Sequence, residues 1–251
     1  ALVGYARGGF GTYVPLEEGI SNQARVDLSY FVGNHNFKFG LSFLGSEYTE
    51  IDKQSGGNGW WLINGAASWV RQVLYTQDAT VKSNYTALYL QDTWEMMPGL
   101  KLSYGVRFES QEQKGNDGST FLKFGMDDAI QPRIGLIYDP ANDGKTKFSV
   151  NYARYYEQMP QRMAMRQRGN EVYLLSYFNI LAGGYTTTGV PSYNPTPWRV
   201  IDYATPFTAV PIADGIKLPQ RDEVIVGIDH TLSNGWLLGV HGKYRKMKNP
   251  I

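Results

Sequence analysis

The segment "LKLSYGVRFE", residues 100–109, decides the fold. It interleaves two sets of side chains: Leu100, Leu102, Tyr104, Val106 and Phe108 alternate with Lys101, Ser103, Gly105, Arg107 and Glu109. Successive side chains of a strand point to opposite faces, so this stretch has one apolar face and one polar, charged face. The stretch itself leaves open whether the apolar face meets a protein core or lipid.

Seven further segments read as strands of the same kind. Six repeat the alternation clearly: "QARVDLSYFV" (23–32), "NFKFGLSFLG" (36–45), "QPRIGLIYD" (131–139), "TKFSVNYARYY" (146–156), "RDEVIVGIDH" (221–230) and "GWLLGVHGKYR" (235–245). Residues 84–95 are a strand with a muddier pattern, because Tyr89 and Leu90 fall on opposite faces. Each is about as long as a tilted strand needs to cross a bilayer, roughly 9–11 residues. The connections alternate strictly. Short ones ("GNH" 33–35, "MMPG" 96–99, "PANDGK" 140–145, "SNG" 233–235) follow every odd strand, and long ones (45–83, 112–129, 157–219) follow the others. Compact soluble domains rarely hold loops beyond about 12–15 residues. Alternation places all short turns at one end of the sheet and all long loops at the other, the pattern of a membrane barrel with short periplasmic turns and long extracellular loops. The fold class expected is therefore all-β, a transmembrane antiparallel β-barrel. Aromatic residues near the strand ends predict two interfacial rows: Tyr30, Trp94, Tyr138 and Trp236 beside the short turns, and Tyr48, Tyr155, Tyr156 and Tyr244 toward the long loops.

Composition agrees without deciding. The 251 residues include 18 Tyr and 28 Gly, and aromatics reach 14%, which leans toward β structure. A mean hydropathy of −0.36 looks like a soluble protein, but a barrel hides its apolar residues at every second position. No apolar run approaches the 18 residues of a membrane helix. A net charge of +1 gives no electrostatic case for nucleic acid, and the absence of Cys excludes disulfides and thiolate metal sites. The first residues, "ALVGYARGGFGTY", carry no leader pattern. They read as part of a Gly-rich, non-alternating stretch of about twenty residues on the long-loop side, and "KMKNPI" ends on that side too. Eight crossings with both ends on the loop side predict an interior portion of a larger barrel.

Three stretches then carry a family resemblance. "ALYLQDTWEMMPGLKLSYGVRFE" (87–109) resembles the strand–turn–strand motif of TonB-dependent outer-membrane receptors. "IQPRIGLIYDPANDGKTKFSVNYARYYEQMP" (130–160) and "LPQRDEVIVGIDHTLSNGWLLGVHGKYRKMKNP" (218–250) resemble successive hairpins of the Oar-like branch of that family. The resemblance implies a barrel of about 22 strands around a plug. It also implies uptake or export driven through the TonB complex, with a surface lipoprotein as a further partner. Residues 1–251 would form part of that one barrel domain, with plug and remaining strands elsewhere.

No catalytic centre, cofactor or metal site is expected. "NDGKT" (142–146) ends like a phosphate loop, but Asp139 stands where that motif needs Gly, so a tight turn explains it. His35, His230 and His241 lack ligand spacing, and no Gly-x-Ser-x-Gly occurs. Asp127 and Asp128 with Asn116 and Asp117 read as a solvated loop, since their spacing is not a calcium loop. Ligand contact is expected from the long loops: Trp60, Trp61 and Trp69 in one, and Arg162, Arg166 and Trp198 in another. Arg162 and Arg166 would share a face if "EQMPQRMAMRQRG" turns helical. Its three Met and three Arg would grip an anionic or peptide-like ligand, or pack the loop into a cap. Arg107, Glu109, Arg133 and Glu223 are expected to face the lumen, toward plug or substrate. The reading is an outer-membrane transport protein; the alternatives are a passive porin-like channel and a soluble secreted glycan-binding β protein.

Overall fold

The computed structural model describes residues 6–7, 11–57, 59–62, 69–185, 191–202 and 215–249. In chain order these form β1 (Ala6–Arg7), β2 (Thr12–Val32), β3 (His35–Gln54), β4 (Gly59–Leu62), β5 (Trp69–Met97), β6 (Leu100–Lys114), β7 (Thr120–Phe124), β8 (Ile130–Tyr138) and β9 (Thr146–Tyr156). They continue with α1 (Gln161–Arg168), β10 (Val172–Tyr185), β11 (Pro191–Tyr193), β12 (Arg199–Asp202), β13 (Gln220–Thr231) and β14 (Leu237–Lys248). Eight of them, β2, β3, β5, β6, β8, β9, β13 and β14, make one antiparallel meander, each paired with the next. Among the described residues β2 and β14 are not paired with each other.

The register sorts the side chains by face. Leu28 opposes Phe39, Phe39 opposes Leu90, and Leu90 opposes Val106. That row continues through Pro132, and Ile134, Tyr152, Val224 and Tyr244 form a second one. Many of these stay exposed, Leu28 at 60%, Leu90 at 53% and Tyr244 at 64%, so the apolar face is not a protein core. It is a continuous band of the kind lipid solvates. Tyr89 resolves the muddy strand. It lies on the polar face, crosses Gly40 and donates to Asp27 at 2.7 Å. A Cβ on Gly40 would come within 2.1 Å of that ring, so only glycine fits beneath it. An acid on the apolar side, Asp92, is 3% exposed and is held by His35 Nδ1 at 2.7 Å and the Tyr104 hydroxyl at 3.0 Å. The His35 ring stacks on Phe37 and Trp94.

The segments expected to be long loops are in large part regular structure. β3 runs on to Gln54 and β5 starts at Trp69, so the 45–83 connection is mostly a rising hairpin. The 112–129 connection contains β7, and the 157–219 connection contains α1, β10, β11 and β12. β2 likewise begins at Thr12, inside the stretch read as non-alternating. The reason is chemical. Above the apolar band both faces of β3 are largely polar (Glu47, Thr49 and Lys53 on one, Ser46, Glu50 and Asp52 on the other), so the contrast of period two vanishes while backbone pairing continues. Of the upper aromatic row only Tyr244 stands exposed on the apolar face, opposite Val224. Tyr48 hydrogen-bonds Glu17 and Glu50 on the polar face, Tyr155 lies between Arg133 and Arg221, and Tyr156 packs into an inner apolar cluster.

The short turns use glycine where the backbone demands it. Gly99 has φ +79° and its carbonyl accepts from Asp139 N at 2.7 Å, joining two neighbouring turns. "NDGKT" is indeed a turn: Gly144, at φ +76°, donates its N–H to Asp139 at 2.7 Å. A Cβ on Gly99 would lie 2.2 Å from the Asp139 carbonyl oxygen, whereas one on Gly144 meets open space. Gly144→Ala should therefore cost only about 1 kcal/mol for its backbone conformation. Gly99→Ala should cost more, toward the upper end of roughly 1–3 kcal/mol, read as the shift in urea unfolding midpoint of the micelle-embedded protein. Just beyond the apolar band, Asp222 accepts from Arg154 at 2.8 Å and pairs with Lys248 at 3.2 Å. The Arg154 hydrogen bond, aided by Lys248, holds the Asp222 carboxyl down at about 2. A carboxyl depressed on folding stabilises above its unfolded value near 4 and loses that contribution as pH falls toward 2. Asp222→Asn should lose part of the wild-type protein's decline in stability between pH 4 and 2.

Candidate functional site

β5 is the spine of the loop end. A span of 29 residues at about 3.3 Å each far exceeds a bilayer crossing. Below, it is flanked by β3 and β6; above, β4 and β10 take over the same two edges. β12 then adds to β10. The wall therefore continues well past the apolar band.

α1 closes over the polar face of this extension. Its sequence, QRMAMRQR, consists of good helix formers, begins after Pro160, and carries Arg166 and Arg168 in the last turn, where positive charge suits the helix dipole. Ala164 and Met165 are fully buried, and with Met159, Phe121, Leu122, Phe124, Ala79 and Val81 they form the apolar cluster under the cap. Buried glutamines of the wall tie the segment down. Gln77 donates to the Met165 carbonyl at 2.9 Å, Gln113 donates to the Met159 carbonyl at 2.5 Å, and Gln111 accepts from Met159 N at 3.0 Å. Of the two readings of "EQMPQRMAMRQRG", the methionines follow the cap. They are spent on packing and are not offered to a ligand.

The arginines divide. Arg168 lies over the Phe121 ring at 6.0 Å. Arg162 and Arg166, one helical turn apart, stay exposed and reach Glu50 at 3.4 Å and Glu171 at 3.3 Å. Both line a cavity of about 630 Å³ together with Asp52, Gln54, Tyr75 and Glu171. Burial first, then the neighbouring Glu50 carboxylate, pushes the Asp52 carboxyl above its usual range. Burial also raises Tyr75, with Glu171 and Asp52 adding to it. On the same face of β5, Trp69 packs with Tyr177 at 5.4 Å and with Trp198 at 6.4 Å. Trp60 and Trp61 pair through their backbones with Gln72 and Arg71; their side chains lie outside the described residues.

Deeper on the polar face, the register aligns Arg107 with Tyr89, Gly105 with Arg133, and Ala153 with both Arg133 and Glu223. Glu109 bonds Arg107 at 2.5 Å, and Glu223 bonds Arg245. A cavity of about 340 Å³ here is lined by Arg25, Lys38, Arg107 and Arg133 beside Tyr89. Arg25 is paired with Asp27, while Lys38 and Arg133 make no ion pair among the described residues. The lower wall is thus cationic. On the opposite face, Tyr30 and Tyr138 flank short turns, as do Trp94 and Trp236. The residues sequence reasoning missed are Glu50, Asp52, Gln54, Tyr75 and Glu171. For Glu50, Asp52 and Gln54 the alternate polar placement from Tyr48 marks a shared strand face but no partner.

A sheet with lipid on one face, a charged interior on the other and a structured cap at one end is the wall of an outer-membrane barrel. The sequence profile described as "TonB dependent receptor-like, beta-barrel" matches residues 3–203, and the chain belongs to that family. It lies in the bacterial outer membrane. The chain is 27% identical over 199 residues to the TonB-dependent transporter Oar of Myxococcus xanthus, a match covering 70% of this chain and 18% of that protein. No solved structure matches the chain.

Met165→Ala would remove a fully buried side chain, a change worth about 2–5 kcal/mol, from a cap held by few other ties. In the folded protein it should speed tryptic cleavage after Arg162, Arg166 and Arg168 while the strands stay protected. Unchanged cleavage would mean that the cap does not depend on that contact.

Proposed function

We propose that these residues form the wall and ligand-capturing mouth of a transporter that takes up or exports a solute across the outer membrane, energised through the TonB complex. The observation carrying this reading is the cap. α1 is roped by buried glutamines onto the lumen side of strands that rise beyond the apolar band, and two exposed arginines face a cavity beneath it. A passive pore gains nothing from such a roof; a receptor needs it to hold a ligand in place. The long connections then face the exterior and the short turns the periplasm. Arg162, Arg166, Trp69 and Trp198, joined by Trp60 and Trp61, supply ligand contacts, while Tyr30, Trp94, Tyr138 and Trp236 anchor the barrel at the interface. Arg107, Glu109, Arg133 and Glu223 face a plug, and a surface lipoprotein is a natural further partner at the mouth.

Planar-bilayer conductance of the full-length protein separates this from a porin-like channel. A plugged transporter should give no sustained ohmic conductance, and in cells it should cross-link to TonB. A steady open pore without that cross-link would favour passive diffusion.

A further inference from the structure

The cavity beneath α1 has an unbalanced charge. Asp52 and Glu171 line it with Arg162 and Arg166, but neither guanidinium is spent on Asp52: Arg162 reaches Glu50, outside the lining, and Arg166 pairs with Glu171. Among the described residues Asp52 makes no ion pair, and Arg162 acts on it only at longer range. It is 8% exposed; Tyr75 donates to its Oδ2 at 3.3 Å, and its Oδ1 has no hydrogen-bond partner. Two residues along the same face, Gln54 is 4% exposed and its Nε2 also has no partner. Both side chains line the same cavity. A buried carboxylate without its counter-charge and a buried amide without its acceptor each carry a desolvation cost. One molecule bringing a cation and an adjacent carbonyl would remove both. Tyr75 and Tyr173, edge to face at 5.8 Å, add ring surface suited to a cation, and Val14 and Val73 add an apolar wall.

We propose that this cavity is a subsite for an ammonium or guanidinium group carried beside a carbonyl acceptor, the chemistry of a lysine- or arginine-containing peptide. The cation pairs with Asp52 Oδ1 and the carbonyl accepts from Gln54 Nε2. The assignment rests on reading the loop end as the capture surface, but it concerns binding and not transport. The groups facing Asp52 are Glu50 on its own strand, Tyr75 on β5, Arg162 and Arg166 on α1, and Glu171 and Tyr173 just beyond it. Because Asp52 is harder to ionise than an ordinary carboxylate, acid should release the cation at a higher pH than for an exposed Asp. The affinity is therefore full at alkaline pH and falls as pH drops through the raised value.

The test is calorimetric titration of the full-length protein in detergent with the tripeptide Ala-Lys-Ala, against Ala-Glu-Ala and its norleucine counterpart. The lysine peptide should bind at least ten-fold tighter than either control. Asp52→Asn should fold normally, since it removes an uncompensated charge at constant shape, and should lose that preference together with the pH dependence. Gln54→Leu should weaken all peptides alike. Equal binding of the norleucine peptide, undiminished lysine binding by Asp52→Asn, or no binding of any basic peptide would overturn the proposal. An open conductance with intact lysine binding would overturn the transport reading alone.

Discussion

Hydrocarbon offers no hydrogen-bond partners, so every backbone N–H and C=O that enters the bilayer has to be paired within the sheet. This requirement dictates the eight-strand meander and its registers, from Val32 opposite His35 through Thr231 opposite Leu237, with shifts only toward strand ends at Tyr13/Leu16 and Glu95/Met97. Once the ladder is fixed, alternation leaves no freedom about faces: Leu90 must meet lipid if Tyr89 meets the interior. The tie from Tyr89 across Gly40 to Asp27 and the charges on Arg107 and Arg133 are all placed by that one demand.

Above the bilayer the demand relaxes, yet pairing continues, and the molecule uses the paired wall as a scaffold. Water can solvate both faces there, so side chains are chosen for what they hold. Gln77, Gln111 and Gln113 bind the backbone around α1, and Glu50 binds Arg162. Among the described residues an apolar cluster of the kind a soluble protein keeps between layers lies on the underside of the cap. A stiff wall thereby carries a small domain-like core at its mouth.

The lipid-crossing part was legible because its physics writes itself at every second residue. Leu100 to Glu109 shows both faces without ambiguity, and Gly33, Gly99, Gly144 and Gly235 mark the turns through their positive φ. The upper hairpin was not legible as strand, since Glu47, Thr49 and Lys53 are as polar as Glu50 and Asp52 behind them. Arg162 and Arg166 could be singled out from their spacing. Their partners Glu50 and Glu171, and the neighbouring Asp52, could not, because helix and acid meet only through the folding of distant segments. The pairing of Trp69 with Trp198 was invisible for the same reason.

The unbroken length of β5 has a mechanical consequence. One edge is paired by β3 and β4 with a break of two residues, and the other by β6 from Lys82 and β10 up to Thr76, so most of its run is stiffened by at least one neighbour. Strain applied low in the barrel travels up such a stiffened strand more than it is absorbed along it. The compliant part is the roof, fastened by a few glutamine side chains and one buried methionine. Movement at this end of the sheet is therefore easier for α1 than for the paired strands beneath it.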